Sequence, residues 1–138
     1  MERTLDFNQK RGFICDMDGV IYHGNRILPG VREFIQWLHD EEKEYLFLTN
    51  NSGYTPRELQ QKLARMGLDV SEEHFYTSAL ATAAFLKEQA PGCSAFVIGE
   101  AGLLNALYDA GITMNDVDPD YVVVGEGRSY SLDTLTKA

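Results

Sequence analysis

The feature that most constrains this chain is the run Gly12-Phe13-Ile14-Cys15-Asp16-Met17-Asp18-Gly19. Three consecutive apolar residues without polar alternation predict a strand buried on both faces, as inside a parallel sheet. The run stops in two carboxylates one residue apart, with a glycine behind them. Ligands of open parallel sheets bind beyond the carboxyl ends of the strands. Asp16 and Asp18 are therefore predicted to face one small volume. Their mutual repulsion there favours a cation, and Mg²⁺ takes oxygen ligands of this kind, completed by water and phosphate oxygens.

The segment that follows repeats the pattern. Val20-Ile21-Tyr22 and Arg26-Ile27-Leu28 flank Gly24-Asn25 and predict a small hairpin or a surface loop. Pro29-Gly30 opens a helix whose Val31, Phe34, Ile35 and Leu38 share one face, with His39 on the surface. Tyr45–Leu48 is a second apolar strand, ending in Thr49-Asn50-Asn51-Ser52-Gly53. Thr55, Pro56 and Glu58 have the spacing of an N-cap, a first helical proline and a capping box, and Gly67 ends that helix. Strand, helix, strand, helix is a right-handed βαβ unit, so both polar strand ends lie on one sheet edge.

Composition narrows the partners. The net charge is −9 and there is no run of Lys or Arg, which argues against nucleic acid and anionic membrane surfaces. No apolar stretch approaches the length of a membrane span, and Met1–Arg11 is too polar for a signal peptide, so a cytoplasmic location is expected. Cys15 and Cys93 form neither a Cys-x-x-Cys pair nor a zinc spacing. Cys15 reads as a small buried hydrophobe.

Further along, Phe75-Tyr76-Thr77 is a short third strand, with Ser78 as a cap for an Ala-rich helix to Gln89. Pro91-Gly92 marks a boundary. Residues 1–90 are expected to form one domain, and residues 91–138 the start of another. In the latter, Ala95–Ile98 and Tyr121–Val124 are strands ending in Gly-Glu, with a helix through Leu103, Leu104 and Leu107 between them. Gly99-Glu-Ala-Gly102 and Gly125-Glu-Gly127 suggest dinucleotide binding, but neither completes Gly-x-Gly-x-x-Gly. A last helix starts at Ser131, and the chain stops within it. That pattern predicts a truncated chain, whose unpaired strand edges would leave it either a homo-oligomer or loosely packed.

The acids and the Thr-Asn-Asn cluster carry the chemistry. An Asp carboxylate can attack phosphorus, and a second Asp can protonate the leaving oxygen and then activate water. A Thr hydroxyl and Asn or backbone N–H groups can hold a phosphoryl group. Thr49-Asn50-Asn51 can equally be a turn whose Asn side chains bond local backbone. A phospho-accepting signalling domain would place its acidic pair and its acceptor on different strands, whereas here both acids share one strand end. A non-catalytic binding fragment is the remaining alternative.

Asp16-Met17-Asp18-Gly19-Val20 followed by Thr49-Asn50-Asn51-Ser52 resembles the haloacid dehalogenase superfamily of phosphohydrolases. Leu28-Pro29-Gly30, Thr77-Ser78-Ala79 and the two strand–Gly units are similar to its branch of NagD-like and p-nitrophenyl phosphatases. The resemblance runs from Gly12 to the end. It implies an α/β fold, a Rossmann-like parallel sheet core carrying the start of an inserted α/β cap domain. It implies Asp16 as nucleophile and Asp18 as general acid/base. The Asp16 carboxylate and the Asp18 main-chain carbonyl are implied to be Mg²⁺ ligands, and Thr49, Asn50 and Asn51 to bind the phosphoryl group. The implied substrate is a small phosphorylated metabolite. The family also uses a later Lys and a later Gly-Asp motif. Nothing after Asn51 has that form, and Lys62, Lys87 and Lys137 read as surface residues. Weak or absent activity is therefore expected of these 138 residues alone.

Overall fold

A computed structural model describes residues 5–138; the first four residues of the polar stretch 1–11, and of the region 1–90, lie outside it. The element order is β1 (Gly12–Asp16), β2 (Tyr22–His23), β3 (Arg26–Ile27), α1 (Val31–Asp40), β4 (Glu44–Thr49), α2 (Pro56–Arg65), β5 (Phe75–Thr77) and α3 (Ser78–Gln89). Then come β6 (Ser94–Ile98), α4 (Ala101–Asp109), β7 (Thr113–Met114), β8 (Tyr121–Val124) and α5 (Leu132–Lys137). Two three-stranded parallel sheets result, ordered β1-β4-β5 and β7-β6-β8, with β2-β3 a separate antiparallel hairpin. The architecture is α/β, as the sequence predicts.

In the first sheet the chain steps twice in the same direction, from β1 to β4 to β5. Right-handed crossovers then put both connecting helices on the same face. Val31, Ile35 and Leu38 of α1 and Leu59 and Leu63 of α2 join Tyr45, Phe47 and Phe75 in one core cluster. The opposite face is bare. Ile14, predicted to be buried, is 71% exposed, and Leu48 and Tyr76 stand beside it at 38% each. The apolar run of β1 thus alternates between covered and uncovered positions, because both helices lie on one side only.

A second cluster gathers Ala79, Ala83 and Leu86 of α3, Leu103, Ala106 and Leu107 of α4, and Cys93, Ala95 and Ile112. By packing, α3 belongs with this second cluster. Caps follow local chemistry. The Thr55 hydroxyl accepts from the Glu58 N–H at 3.1 Å, opening α2 as expected. Thr77, rather than the neighbouring Ser78, caps α3, accepting from the Leu80 N–H at 3.2 Å. The Ser78 hydroxyl instead donates to the Asn50 carbonyl at 2.7 Å. No helix among the described residues is long and apolar enough to cross a membrane.

Candidate active site

Two adjacent parallel strands bring Asp16 and Thr49 to one sheet edge. Asp16 ends β1 opposite Leu48, and Thr49 ends β4 one residue further on. Beyond Asp16 the chain turns sharply. Met17 is fully buried and its carbonyl accepts from the N–H groups of Val20 and Ile21 at 3.1 and 2.8 Å. The Gly19 N–H donates to the Tyr22 carbonyl at 2.8 Å, with Gly19 at φ +76°. This turn leaves the side chains of Asp16 and Asp18 exposed. One Asp16 carboxylate oxygen accepts from the Met17 N–H at 2.8 Å, which fixes the carboxylate at the strand end. Among the described residues neither acid is in an ion pair.

The Thr-Asn-Asn turn is locally braced. Thr49 is buried, and its hydroxyl oxygen accepts from the Asn51 N–H at 3.1 Å, which leaves the hydroxyl proton available as a donor. The Asn51 side-chain carbonyl accepts from the N–H groups of Gly53 and Tyr54 at 2.7 and 3.3 Å. The Asn51 carboxamide oxygen therefore serves the turn, as the local-bonding alternative expects. The same bonds hold the loop in a defined shape.

Tyr22 stands behind the acids. It is buried and joins Asp18 in an isolated bridge. Burial first, then the charge of Asp18 and hydrogen bonding to it, push its phenol up to about 12. Burial likewise pushes the Cys15 thiol above its ordinary value, in keeping with an inert packing residue.

Sequence reasoning missed how firmly the second sheet grips this site. The Ser52 hydroxyl, buried, accepts from the Glu126 N–H at 3.0 Å, and the Gly102 N–H donates to the Gly53 carbonyl at 3.0 Å. A Cβ on Gly102 would stand 2.6 Å from the carbonyl oxygens of both Ser52 and Tyr54, and one on Gly125 would stand 2.8 Å from the Ser52 hydroxyl. These glycines, suggestive of a dinucleotide loop in sequence, admit the backbone of the 52–54 loop instead. The signal was visible, but its partner is 50 residues away in the chain from Ser52 to Gly102. Beside this junction lies a cavity of about 330 Å³, lined by Asn51, Gly53, Tyr54, Glu58, Glu100, Ala101, Glu126, Gly127 and Arg128. The Arg128 N–H donates to Glu100 at 3.0 Å and its guanidinium reaches the Tyr54 hydroxyl at 3.5 Å.

Among the described residues no group of three or more His, Cys, Asp or Glu side chains is placed to hold a metal ion. Two exposed, unpaired carboxylates at one strand end still fit Mg²⁺, which commonly takes one or two protein carboxylates and fills its other positions with water and substrate oxygens.

Comparison with known proteins shows the family. Residues 13–113 match the family of haloacid dehalogenase-like hydrolases. The chain is 45% identical over 126 residues to dihydroxyacetone phosphatase of Corynebacterium glutamicum, covering 91% of this chain and 46% of that protein. The structure of NagD from Escherichia coli superposes with a TM-score of 0.87 at 45% identity, covering 92% of this chain and 50% of that one. A p-nitrophenyl phosphatase from Archaeoglobus fulgidus superposes with a TM-score of 0.82 at 33% identity, covering 93% and 49%. The chain thus spans about half the length of these relatives. The matched region and the two strand-end motifs lead to one conclusion: this chain belongs to the haloacid dehalogenase-like hydrolases, on the side of NagD and the p-nitrophenyl phosphatases.

Proposed function

We propose that the protein is a Mg²⁺-dependent phosphohydrolase of small phosphate monoesters and that this chain carries its nucleophile and phosphoryl-binding loop. One observation carries the reading: β1 and β4 pair in parallel, so Asp16 and Thr49 end side by side. An Asp16 carboxylate oxygen attacks phosphorus while the bond to the leaving oxygen breaks, and Asp18 gives that oxygen its proton. Water then attacks phosphorus in the aspartyl-phosphate. Asp18 takes the water's proton, and orthophosphate leaves with Asp16 restored. The Thr49 hydroxyl, the Asn50 N–H and the carboxamide NH₂ of Asn51, whose own N–H and side-chain oxygen serve the turn, hold the phosphoryl oxygens as charge moves. Mg²⁺, held by the Asp16 carboxylate and the Asp18 main-chain carbonyl, would neutralise phosphoryl charge.

The relatives are named dihydroxyacetone phosphatase, ribonucleotide monophosphatase and acid sugar phosphatase. A small phosphorylated metabolite is accordingly the proposed substrate class, in the cytoplasm, with neither nucleic acid nor membrane as partner. Residues 1–90 are read as the first part of the catalytic core and residues 91–138 as the start of its cap, with association between copies as a further proposal. The test is hydrolysis of 4-nitrophenyl phosphate by the complete gene product with Mg²⁺. Asp16→Asn should abolish turnover, and Asp18→Asn should cost about 10²- to 10⁴-fold. Chelation of Mg²⁺ should abolish turnover as well. Near-normal turnover in Asp16→Asn protein would refute the assignment.

A further inference from the structure

Lys62 is a lysine in an unusual position. It lies on α2 four residues after Glu58, the spacing and order that favour a helical ion pair. Yet among the described residues it forms no ion pair. Its ammonium instead stands 4.4 Å from the ring centroid of Tyr22 and 5.7 Å from that of Tyr54. Both distances lie within the range of cation–π attraction. The side chain is half-buried, unlike the surface residue that its helical pattern predicts.

The two rings belong to different loops. Tyr22 follows the Asp16–Asp18 turn and is bridged to Asp18. Tyr54 closes the turn from Thr49, its N–H bonded to the Asn51 side chain at 3.3 Å. Covalent structure fixes each loop to its own strand, and β1–β4 pairing fixes those strands only up to Asp16 and Leu48. Beyond that register no hydrogen bond among the described residues joins residues 17–23 to residues 49–54. Tyr22 and Tyr54 pack in the same core cluster, and the Lys62 ammonium reaches both rings.

We infer that Lys62 is a positioning residue, a cation shared by Tyr22 and Tyr54 that ties the loop of the two acids to the phosphoryl-binding turn. The role in catalysis rests on the phosphatase reading, whereas the tie between the loops does not. The amide, hydroxyl and carboxylate groups that meet a phosphoryl group come from both loops. Their relative placement must be held closely for any of them to act, because small misplacements of reacting groups are costly.

The test separates the two levels in the 138-residue chain itself. Amide hydrogen exchange is read by NMR in wild type, Lys62→Met and Lys62→Arg, alongside calorimetric titration of inorganic phosphate in the presence of Mg²⁺. Methionine keeps the aliphatic stem and removes the charge; arginine restores a cation that prefers aromatic faces. In Lys62→Met, exchange at Gly19–His23 and at Asn51–Tyr54 should rise together by about two- to fivefold, the size of a partly exposed cation–π contact. Exchange in β6 and β8 should stay at the wild-type rate, and Lys62→Arg should return both loops towards it. Phosphate affinity should fall and recover in parallel. Unchanged exchange in either loop, or an equal rise in β6 and β8, would overturn the tie. Both loops responding to Lys62→Met while phosphate affinity stays at the wild-type value would keep the tie and overturn the positioning role, whereas the phosphatase reading stands or falls separately on turnover by the complete gene product.

Discussion

The molecule contains two versions of the same arrangement. Each sheet has three parallel strands, each packs helices against one face, and each leaves apolar residues on the other, Ile14 and Leu48 in the first and Val122 and Val124 in the second. Their strand ends diverge. β1 and β4 end in Asp16 and Thr49, whereas β6 and β8 run into Gly99 and Gly125. Their cores diverge too. The first is aromatic: Phe13 meets Trp37 edge-on at 5.4 Å, Tyr45 stacks on His74 at 3.8 Å and Phe47 meets Phe75 at 6.0 Å. The second is built mainly of Ala and Leu, with Cys93 and Ile112 and, among the described residues, no buried aromatic ring. Large rings immobilise the elements that aim polar groups. Small residues let a second body approach closely, and the 52–54 loop uses that space. A glycine at a parallel strand end can therefore serve backbone docking as readily as ligand binding.

The contrast between the cores is sharpest at their largest buried side chains. Phe47, fully buried under both helices, should cost about 3–5 kcal/mol on replacement by alanine, and Leu107 of the second cluster about 2–5 kcal/mol. Denaturant unfolding measures the totals, and hydrogen exchange shows their reach. Phe47→Ala should expose amides of β1, β4 and β5 before those of β6 and β8. Simultaneous loss of protection everywhere would make the two clusters a single cooperative core and end the contrast.

The next effect tests the junction. In an isolated helix Gly102→Ala would stabilise by about 1 kcal/mol. Here the added methyl would stand 2.6 Å from two carbonyl oxygens of the 52–54 loop, and backbone cannot swing aside as a flexible side chain can. Overpacking of this kind costs about 1–3 kcal/mol, so the clash outweighs propensity and the variant should melt below wild type. A higher melting temperature would show that the loop yields and that the docking is loose. Thr55→Ala acts on a hydrogen bond within the first region. It removes the cap of α2 and should cost about 1 kcal/mol in the same melt, with no change in the chain's affinity for inorganic phosphate.

What was legible in the sequence was local. Asp16 and Asp18 behind an apolar run, Thr49 behind another, and the Thr55 cap three residues before Glu58 each announce themselves within a few positions. The bare face of β1 was not legible, because Phe13-Ile14-Cys15 has the same pattern whether one face or two are covered. Only the direction of both crossovers decides it. β7 is two residues long and has no periodicity to read. Lys62 has the spacing of an exposed helix position, and its placement over Tyr22 depends on a turn 40 residues earlier in the chain. Contacts between distant segments decided each of these, and the single-segment pattern holds no record of them.

The smallest effect near neutral pH is none at all, and it appears only in alkali. Tyr22 is buried beside the Asp18 carboxylate, so its phenol ionises at about 12 against an ordinary value near 10. The folded chain therefore holds this proton more tightly than the unfolded chain does. The stability tied to the neutral phenol is fully present below about pH 10, and it is lost as pH rises towards 12. Phenylalanine keeps the ring beneath Lys62 but cannot ionise. Tyr22→Phe should therefore unfold like wild type at pH 7 and hold its stability better between pH 10 and 12. The rise of phenolate absorbance with pH should lose its late component in the variant. Identical alkaline unfolding curves would mean that Tyr22 meets solvent freely. The turn behind Asp18 would then be looser than the glycine-ended loops docked on residues 52–54, and the contrast between the two sets of strand ends would fail where the chemistry is proposed.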